Sequence, residues 1–224
     1  TGPASGLRGI RAQNFVTGTL DVAADGSVTG TAGDAILVIS NPPGGAIGVT
    51  TTAGGVLSAG GGSGIDIDQA GAGNVGVINA AAVNSGATVN TFDHGADVHV
   101  VGTGSVTINN SGAVGTSGDR AQLTGLNVAI INTASAGTIS ISGAGAIFSV
   151  GDGINTETNG TGSTSVVYGG AIDTTAGDGI DVATTSGSIT VTNGGAINAQ
   201  AGDGIETVST TGDQSITDSG AINS

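Results

Sequence analysis

The sequence Gly169-Gly-Ala-Ile-Asp-Thr-Thr-Ala-Gly-Asp178-Gly-Ile-Asp-Val-Ala-Thr-Thr-Ser-Gly187-Ser-Ile-Thr-Val-Thr-Asn193 is followed at once by a near copy of itself, residues 194–219. The Gly-Ala-Ile step recurs at Gly145-Ala146-Ile147, Gly170-Ala171-Ile172, Gly195-Ala196-Ile197 and Gly220-Ala221-Ile222, 25 residues apart each time. A second glycine recurs at Gly162, Gly187 and Gly212, and an Asp-Gly-Ile step begins at Asp152, Asp178 and Asp203. A fixed period of this size marks a unit too small to bury its own apolar face, so successive units must stack.

Upstream the pattern continues in degraded form. The Gly-Ala-Ile column reads Val28, Val56, Val83, Val114, Ile147, Ile172, Ile197 and Ile222. The apolar pair before it reads Leu20/Val22, Ile47/Val49, Val75/Val77, Val106/Ile108, Ile139/Ile141, Thr164/Val166, Ile189/Val191 and Gln214/Ile216. Members of a pair are two residues apart, the spacing that puts side chains on one face of a strand. A less regular third column reads Ile36, Ile65, Val98, Val128, Ile154, Ile180 and Ile205, with Ile10 as its start.

Each unit therefore predicts three short strands between Gly, Asn, Asp, Ser or Thr turns. The expected fold is all-β: a right-handed parallel β-helix of about eight rungs of roughly 25–33 residues, one solenoid over 1–224. The handedness follows from the general preference of parallel crossovers.

Composition agrees. The chain of 224 residues has 45 Gly and 2% aromatics, and no Cys, Met or Trp. Its apolar side chains are mostly Ala, Val and Ile, which suit thin layers of strands rather than helices. Although the net charge is −14, only 9% of residues are charged and 37% are hydrophobic, and the aliphatic columns are ordered, so the chain is not a disordered acidic tail. The three Arg residues and the absence of Lys speak against nucleic acid and against an anionic membrane surface. No apolar run is long enough to span a bilayer. Thr1-Gly2-Pro3 does not open a signal peptide, and Gly220 to Ser224 opens a further repeat. The chain reads as a piece of a larger surface protein.

The units 169–193 and 194–219 resemble passenger repeats of bacterial autotransporters (type V secretion), and the resemblance runs from Gly26 to Ser224. It implies a β-helical protein on the bacterial cell surface, exported by an N-terminal signal and held by a C-terminal outer-membrane β-barrel. Passengers of this kind include adhesins, self-associating proteins and platforms for hydrolase domains. Its implied partners are a host cell-surface or matrix component, or the same chain on another cell. A segment of a two-partner-secreted adhesin would look much the same.

Three groups of residues are candidates for chemistry. Asp152, Asp178 and Asp203 recur at one turn, with Asn155, Asp181 and Glu206 in a second column nearby. Stacked carboxylates repel by about 1 kcal/mol per pair in water. The expectation is that each accepts hydrogen bonds from its own turn, and the alternative is a calcium ladder with hard oxygen ligands. Asp93, His94, Asp97 and His99 form the second group, with too few convergent ligands for a metal. The third comprises two insertions, 84–95 and 115–126, expected as protruding loops that leave the same corner of consecutive rungs and lie side by side. They hold Phe92, Asp93, His94, Asp119 and Arg120, the candidate binding patch. Gly61-Gly62-Ser63-Gly64-Ile65-Asp66-Ile67 fits one copy of a calcium nonapeptide, which works only in tandem, so a glycine-rich turn is the expectation. No cofactor and no catalytic residue is expected. The alternatives to adhesion are a carbohydrate-active enzyme or depolymerase on the same scaffold, and an inert spacer.

Overall fold

A computed structural model describes residues 4–41, 43–86 and 88–224; Thr1-Gly2-Pro3, read above for a signal, lies outside the described residues. Among the described residues there are 24 strands and no helix, hence none long and apolar enough to cross a membrane. Every named strand pairing is parallel.

The rungs run through three sheets in turn. Sheet 1 has eight strands, Ile10–Asn14, Ile36–Ser40, Ile65–Gln69, Ala96–Val100, Leu126–Ile130, Ile154–Thr158, Ile180–Thr184 and Ile205–Ser209. Sheet 2 also has eight, Leu20–Ala24, Ile47–Thr51, Val75–Asn79, Val106–Asn110, Ile139–Gly143, Thr164–Tyr168, Ile189–Asn193 and Gln214–Asp218. Sheet 3 is made of shorter strands in two blocks of four. One block is Ala4–Gly6, Val28–Gly30, Val56–Ala59 and Ala82–Asn84; the other is Ile147–Ser149, Ile172–Thr174, Ile197–Ala199 and Ile222–Asn223. Val114 alone bridges them, pairing with Val83 on one side and Ile147 on the other.

The expected stacking is present. Ile147 pairs with Ile172, Ile172 with Ile197 and Ile197 with Ile222. Alternate residues of the strands between Leu20 and Ala199 enter one continuous core that contains Ile36, Ile65, Ile108, Ile141, Ile147, Ile180 and Ile197. Because a strand sends successive side chains to opposite faces, the third residues of the sheet 2 strands also stack inward, from Val22 through Ile108 to Val191.

Two columns differ from the sequence reading. Leu57, not Val56, lies between Val28 and Val83, and Leu57 is fully buried while Val56 is half-buried. In sheet 1 the Ile10 to Ile205 column passes through Ala96 and Leu126. Val98 and Val128 occupy the adjacent inward column with Val38, Ile67 and Val182. Both are inward positions two residues apart, so apolarity alone does not separate them.

The Asp-Gly-Ile and Gly-Ala-Ile motifs are halves of one contact. A Cβ on Gly179 would lie 2.3 Å from Ile197 Cγ2 and 2.5 Å from the Gly204 carbonyl oxygen. The isoleucine methyl takes the space of that missing side chain, so the glycine of one motif is required by the isoleucine of the other.

Polar side chains line the inner corner between sheets 2 and 3. Thr51 Oγ1 donates to Asn79 Oδ1 (2.7 Å), Asn79 Nδ2 to Asn110 Oδ1 (2.8 Å) and Asn110 Nδ2 to the Tyr168 hydroxyl (2.9 Å). Tyr168 spans the rung where Gly143 stands and donates to the Gly145 carbonyl at 2.7 Å. Burial pushes its phenol well above the usual range. These groups are satisfied by one another, which is the condition for burying them.

Candidate functional site

The corner entering sheet 1 carries the most chemistry. The residue just before each sheet 1 strand's leading small residue is, rung by rung, Arg8, Asp34, Ser63, His94, Thr124, Asp152, Asp178 and Asp203. The backbone holds them in one line, because the following N–H donates to the next member's carbonyl: Gly9 to Asp34, Ala35 to Ser63, Gly64 to His94, Gly125 to Asp152, Gly153 to Asp178 and Gly179 to Asp203. His94 and the three aspartates, two separate candidates in the sequence, thus share one column.

The side chains of this column act on the rung above. Asp34 Oδ1 accepts from Ser63 N–H at 3.0 Å, Asp152 Oδ1 from Asp178 N–H at 2.9 Å and Asp178 Oδ1 from Asp203 N–H at 2.6 Å. His94 Nδ1 lies 3.2 Å from the Thr124 N–H in the same way. The expectation that each aspartate caps its own turn is therefore corrected: the acceptor reaches across one rung spacing. A carboxylate bonded to an amide is stabilised as the anion, which offsets the repulsion of stacking. Of the glycine-rich run 61–67, residues 61–64 form a turn of this ladder that leads into the strand Ile65–Gln69, with Gly62 leaving room for Asp34: a Cβ there would lie 2.4 Å from Asp34 Oδ1.

Beside the ladder, the first outward positions of sheet 1 stack as Asp66, Asp97, Asn127, Asn155, Asp181 and Glu206. Asn127 Nδ2 donates to Asp97 Oδ1 (2.9 Å) and Asn155 Nδ2 to Asn127 Oδ1 (3.2 Å). Burial and crowding raise three of these acids, Asp66, Asp181 and Glu206. Burial, then Asp34, Asp68 and Asp97, pushes Asp66 up to about 7 against a lowering by Arg8. Burial, then Asp152, Glu206 and Asp178, pushes Asp181 up to about 6. Asp178 is the largest cause of an upward shift at the exposed Glu206. Oxygens of Asp178, Asp203 and Glu206 lie within 4.8 Å of one another, so this trio, rather than Asp152, Asp178 and Asp203, gathers the oxygen ligands a hard cation would use.

His99 belongs elsewhere: its Nδ1 is 4.0 Å from Asp68 Oδ1 on the outer face of sheet 1, while His94 serves Thr124 at the corner.

The two insertions do lie side by side. Asp119 accepts from Ser85 Oγ (2.6 Å), Ser85 N–H (2.9 Å) and Asn90 N–H (2.7 Å). Asn90 Oδ1 accepts from Arg120 N–H at 2.9 Å, and the Gln122 and Leu123 amides donate to the Phe92 and Asp93 carbonyls. As an exposed patch, however, the candidate set needs correction. Phe92 is fully buried in the core. Arg120 folds back to Asp173, with Nη1 to its carbonyl at 2.7 Å and Nη2 to Oδ1 at 3.1 Å, over the Phe148 ring at 5.7 Å. Asp119 therefore ties the two insertions to each other, and Arg120 fastens the second to the rod. The exposed members among the described residues are Gly86, Thr88, Val89, Asn90, Thr116, Ser117, Gly118 and Leu123. Between the first insertion and sheet 3 sits a small depression of about 90 Å³, lined by Thr29, Gly30, Gly60, Ser85 and Thr88 among others.

Comparison with known proteins gives no match to any family model, curated protein or solved structure.

Proposed function

We propose that this chain is a stiff rod of a bacterial cell-surface or exported protein and that it acts in adhesion, to a host surface or matrix component or to the same chain on a sibling cell. The observation that carries this reading is the repetition of one contact unit along the outside of the rod. The ladder Asn127–Asp97 and Asn155–Asn127 on sheet 1 recurs on sheet 3, where Asn198 Nδ2 donates to Asp173 Oδ1 (3.4 Å) and Asn223 Nδ2 to Asn198 Oδ1 (2.8 Å). Such arrays present the same weak site on three successive rungs, and weak sites in a fixed row add up to avidity. The acidic corner sets the conditions: repulsion between such rods is screened by salt, and divalent cations can bridge their carboxylates. A sugar-cleaving reading would want aromatic platforms, and Phe92 and Tyr168 are core residues.

The test is display of this chain on a non-adherent bacterium, with cell binding and clumping scored in calcium and in chelator at equal ionic strength. Adhesion or clumping above the display control is the expected outcome. Its absence in both conditions refutes the proposal.

A further inference from the structure

The charge is segregated among the sides of the rod. Sheet 1 and its leading corner hold Asp34, Asp66, Asp97, Asp152, Asp181 and Glu206 among their acids. The outward face of sheet 2 is different. Its two outward columns read Asp21, Gly48, Gly76, Thr107, Ser140, Ser165, Thr190, Ser215 and Ala23, Thr50, Ile78, Asn109, Ser142, Val167, Thr192, Thr217. In a chain of net charge −14, Asp21 is the one charged side chain in those columns. The corner leading into the sheet continues the pattern with a row of small polar groups: Ser105 N–H donates to Asn74 Oδ1 (2.9 Å), Thr138 N–H to Ser105 Oγ (3.0 Å) and Ser188 N–H to Ser163 Oγ (3.2 Å).

We infer that this neutral face of sheet 2 is where a second copy of the chain docks, face to face and with the two rods antiparallel. The inference rests on the adhesive reading above and names its surface. Eight strands at the usual spacing, each five residues long, give a face of about 38 by 17 Å, roughly 650 Å² per copy and about 1,300 Å² in all, inside the range of specific interfaces.

The register follows from relief. A two-fold axis along the strand direction sets the first rung against the eighth and the third against the sixth, and keeps each column opposite itself. Two large apolar side chains stand on this face, Ile78 at 54% exposure in the third rung and Val167 at 50% in the sixth, both in the same column. The antiparallel arrangement places Ile78 opposite the second copy's Val167, and does so twice. It also sets Gly48 against Thr190, pairing the low-relief half with the half that carries larger side chains. A parallel arrangement exchanges the columns and leaves Ile78 opposite Gly76. Apart from Asp21 of the first rung, which falls opposite Ser215 of the second copy, the acids of the two sheet 1 faces stay on other sides of the rods, where salt at physiological strength screens them within about 8 Å.

The test is sedimentation velocity of the whole chain at several concentrations, with circular dichroism confirming the fold of each variant. The unaltered chain should form a dimer. I78E and V167K should each weaken it by about tenfold or more, because a charge meets an apolar partner, and the double variant I78E/V167K should restore it, because Glu then meets Lys across the two-fold. Ala183→Glu, on sheet 1, should change nothing. A monomer at all concentrations, or single variants that dimerise like the parent, overturns the inference. A double variant no better than the singles overturns the antiparallel register. If displayed cells still adhere while the chain stays monomeric, the docking face fails and the adhesive reading stands; if neither occurs, both fail.

Discussion

Gly169 and Gly170 are neighbours in sequence, and alanine at the two positions should act in opposite directions. A Cβ on Gly170 would lie 2.2 Å from the Gly145 carbonyl oxygen and 2.8 Å from the Ala144 carbonyl carbon. The column repeats the contact, since Gly195 approaches the Gly170 oxygen and Gly220 the Gly195 oxygen in the same way. The obstacle is backbone of the rung below, so the methyl can be admitted only by parting the rungs by about 1 Å. The adjacent bonds Ile147 N–H to Ala171 (2.8 Å) and Ile172 N–H to Ala196 (2.9 Å) resist that. Overpacking of this kind costs about 1–3 kcal/mol, and the stiffer unfolded chain returns about 0.4–1 kcal/mol, so G170A should destabilise by roughly 1–2 kcal/mol. On Gly169 the same methyl meets nothing closer than 3.8 Å. G169A should therefore be neutral or more stable by about 0.5 kcal/mol. Urea unfolding followed by circular dichroism measures both, with hydrogen exchange to detect local opening around residues 143–197, since a solenoid can part between neighbouring rungs. Equal stability of the two variants within error would refute the stacking of carbonyl over glycine.

Other outcomes follow from the ladders and the core. Asp178→Ala removes the acceptor of the Asp203 amide and should cost about 1 kcal/mol in urea unfolding, while the upward shift at Glu206, read by NMR titration, relaxes toward the ordinary value; an unchanged Glu206 titration would contradict the crowding argument. Asp66 and Asp181 titrate near 7 and 6, above the ~3.9 of an unfolded aspartate. Between about pH 4 and 7 the folded chain thus holds protons the unfolded chain has lost, and the stability these groups contribute falls as pH rises through that window. Solvent screening reduces the effect to about 1–2 kcal/mol, so Asp66→Asn should flatten the pH dependence of the melting temperature and raise it at pH 8; a steeper dependence would contradict this. Tyr168→Phe deletes the hydroxyl that joins Asn110 to the Gly145 carbonyl and should cost about 1–3 kcal/mol by thermal melting, and a loss below 0.5 kcal/mol would show that the inner polar corner is not closed by that group.

The rung architecture was legible because Ile147, Ile172, Ile197 and Ile222 keep both identity and spacing, and a buried column tolerates little variation in volume. Where the period stretches, the reading slips. Val56 and Leu57 are adjacent and both apolar, and Val98 and Val128 share an inward face with Ala96 and Leu126, so apolarity alone does not say which of them heads the column. The candidate sites were less legible. That Asp152 and Asp178 reach the next rung's amide depends on the distance between rungs, which no single repeat contains. Phe92 and Arg120 looked like surface residues because they sit in insertions, yet the insertions bond to each other through Asp119 and Asn90 and bring Phe92 into the core. Asn79, Asn110 and Asn193 read as turn residues; their recurrence as the last residue of a sheet 2 strand was the signal that they line an inner corner.

Distances between spin labels down one outward column of sheet 1 test the stacking most directly. Val208, Ala183, Glu157, Ala129, His99, Asp68, Ile39 and Gln13 are register partners in that order. Pulsed electron paramagnetic resonance with Val208 paired in turn to Ala129, Asp68 and Gln13 should give about 14, 24 and 34 Å, a straight line against rung number. Distances that fail to grow with rung number, as a sandwich or a helical bundle would give, would contradict a solenoid in register.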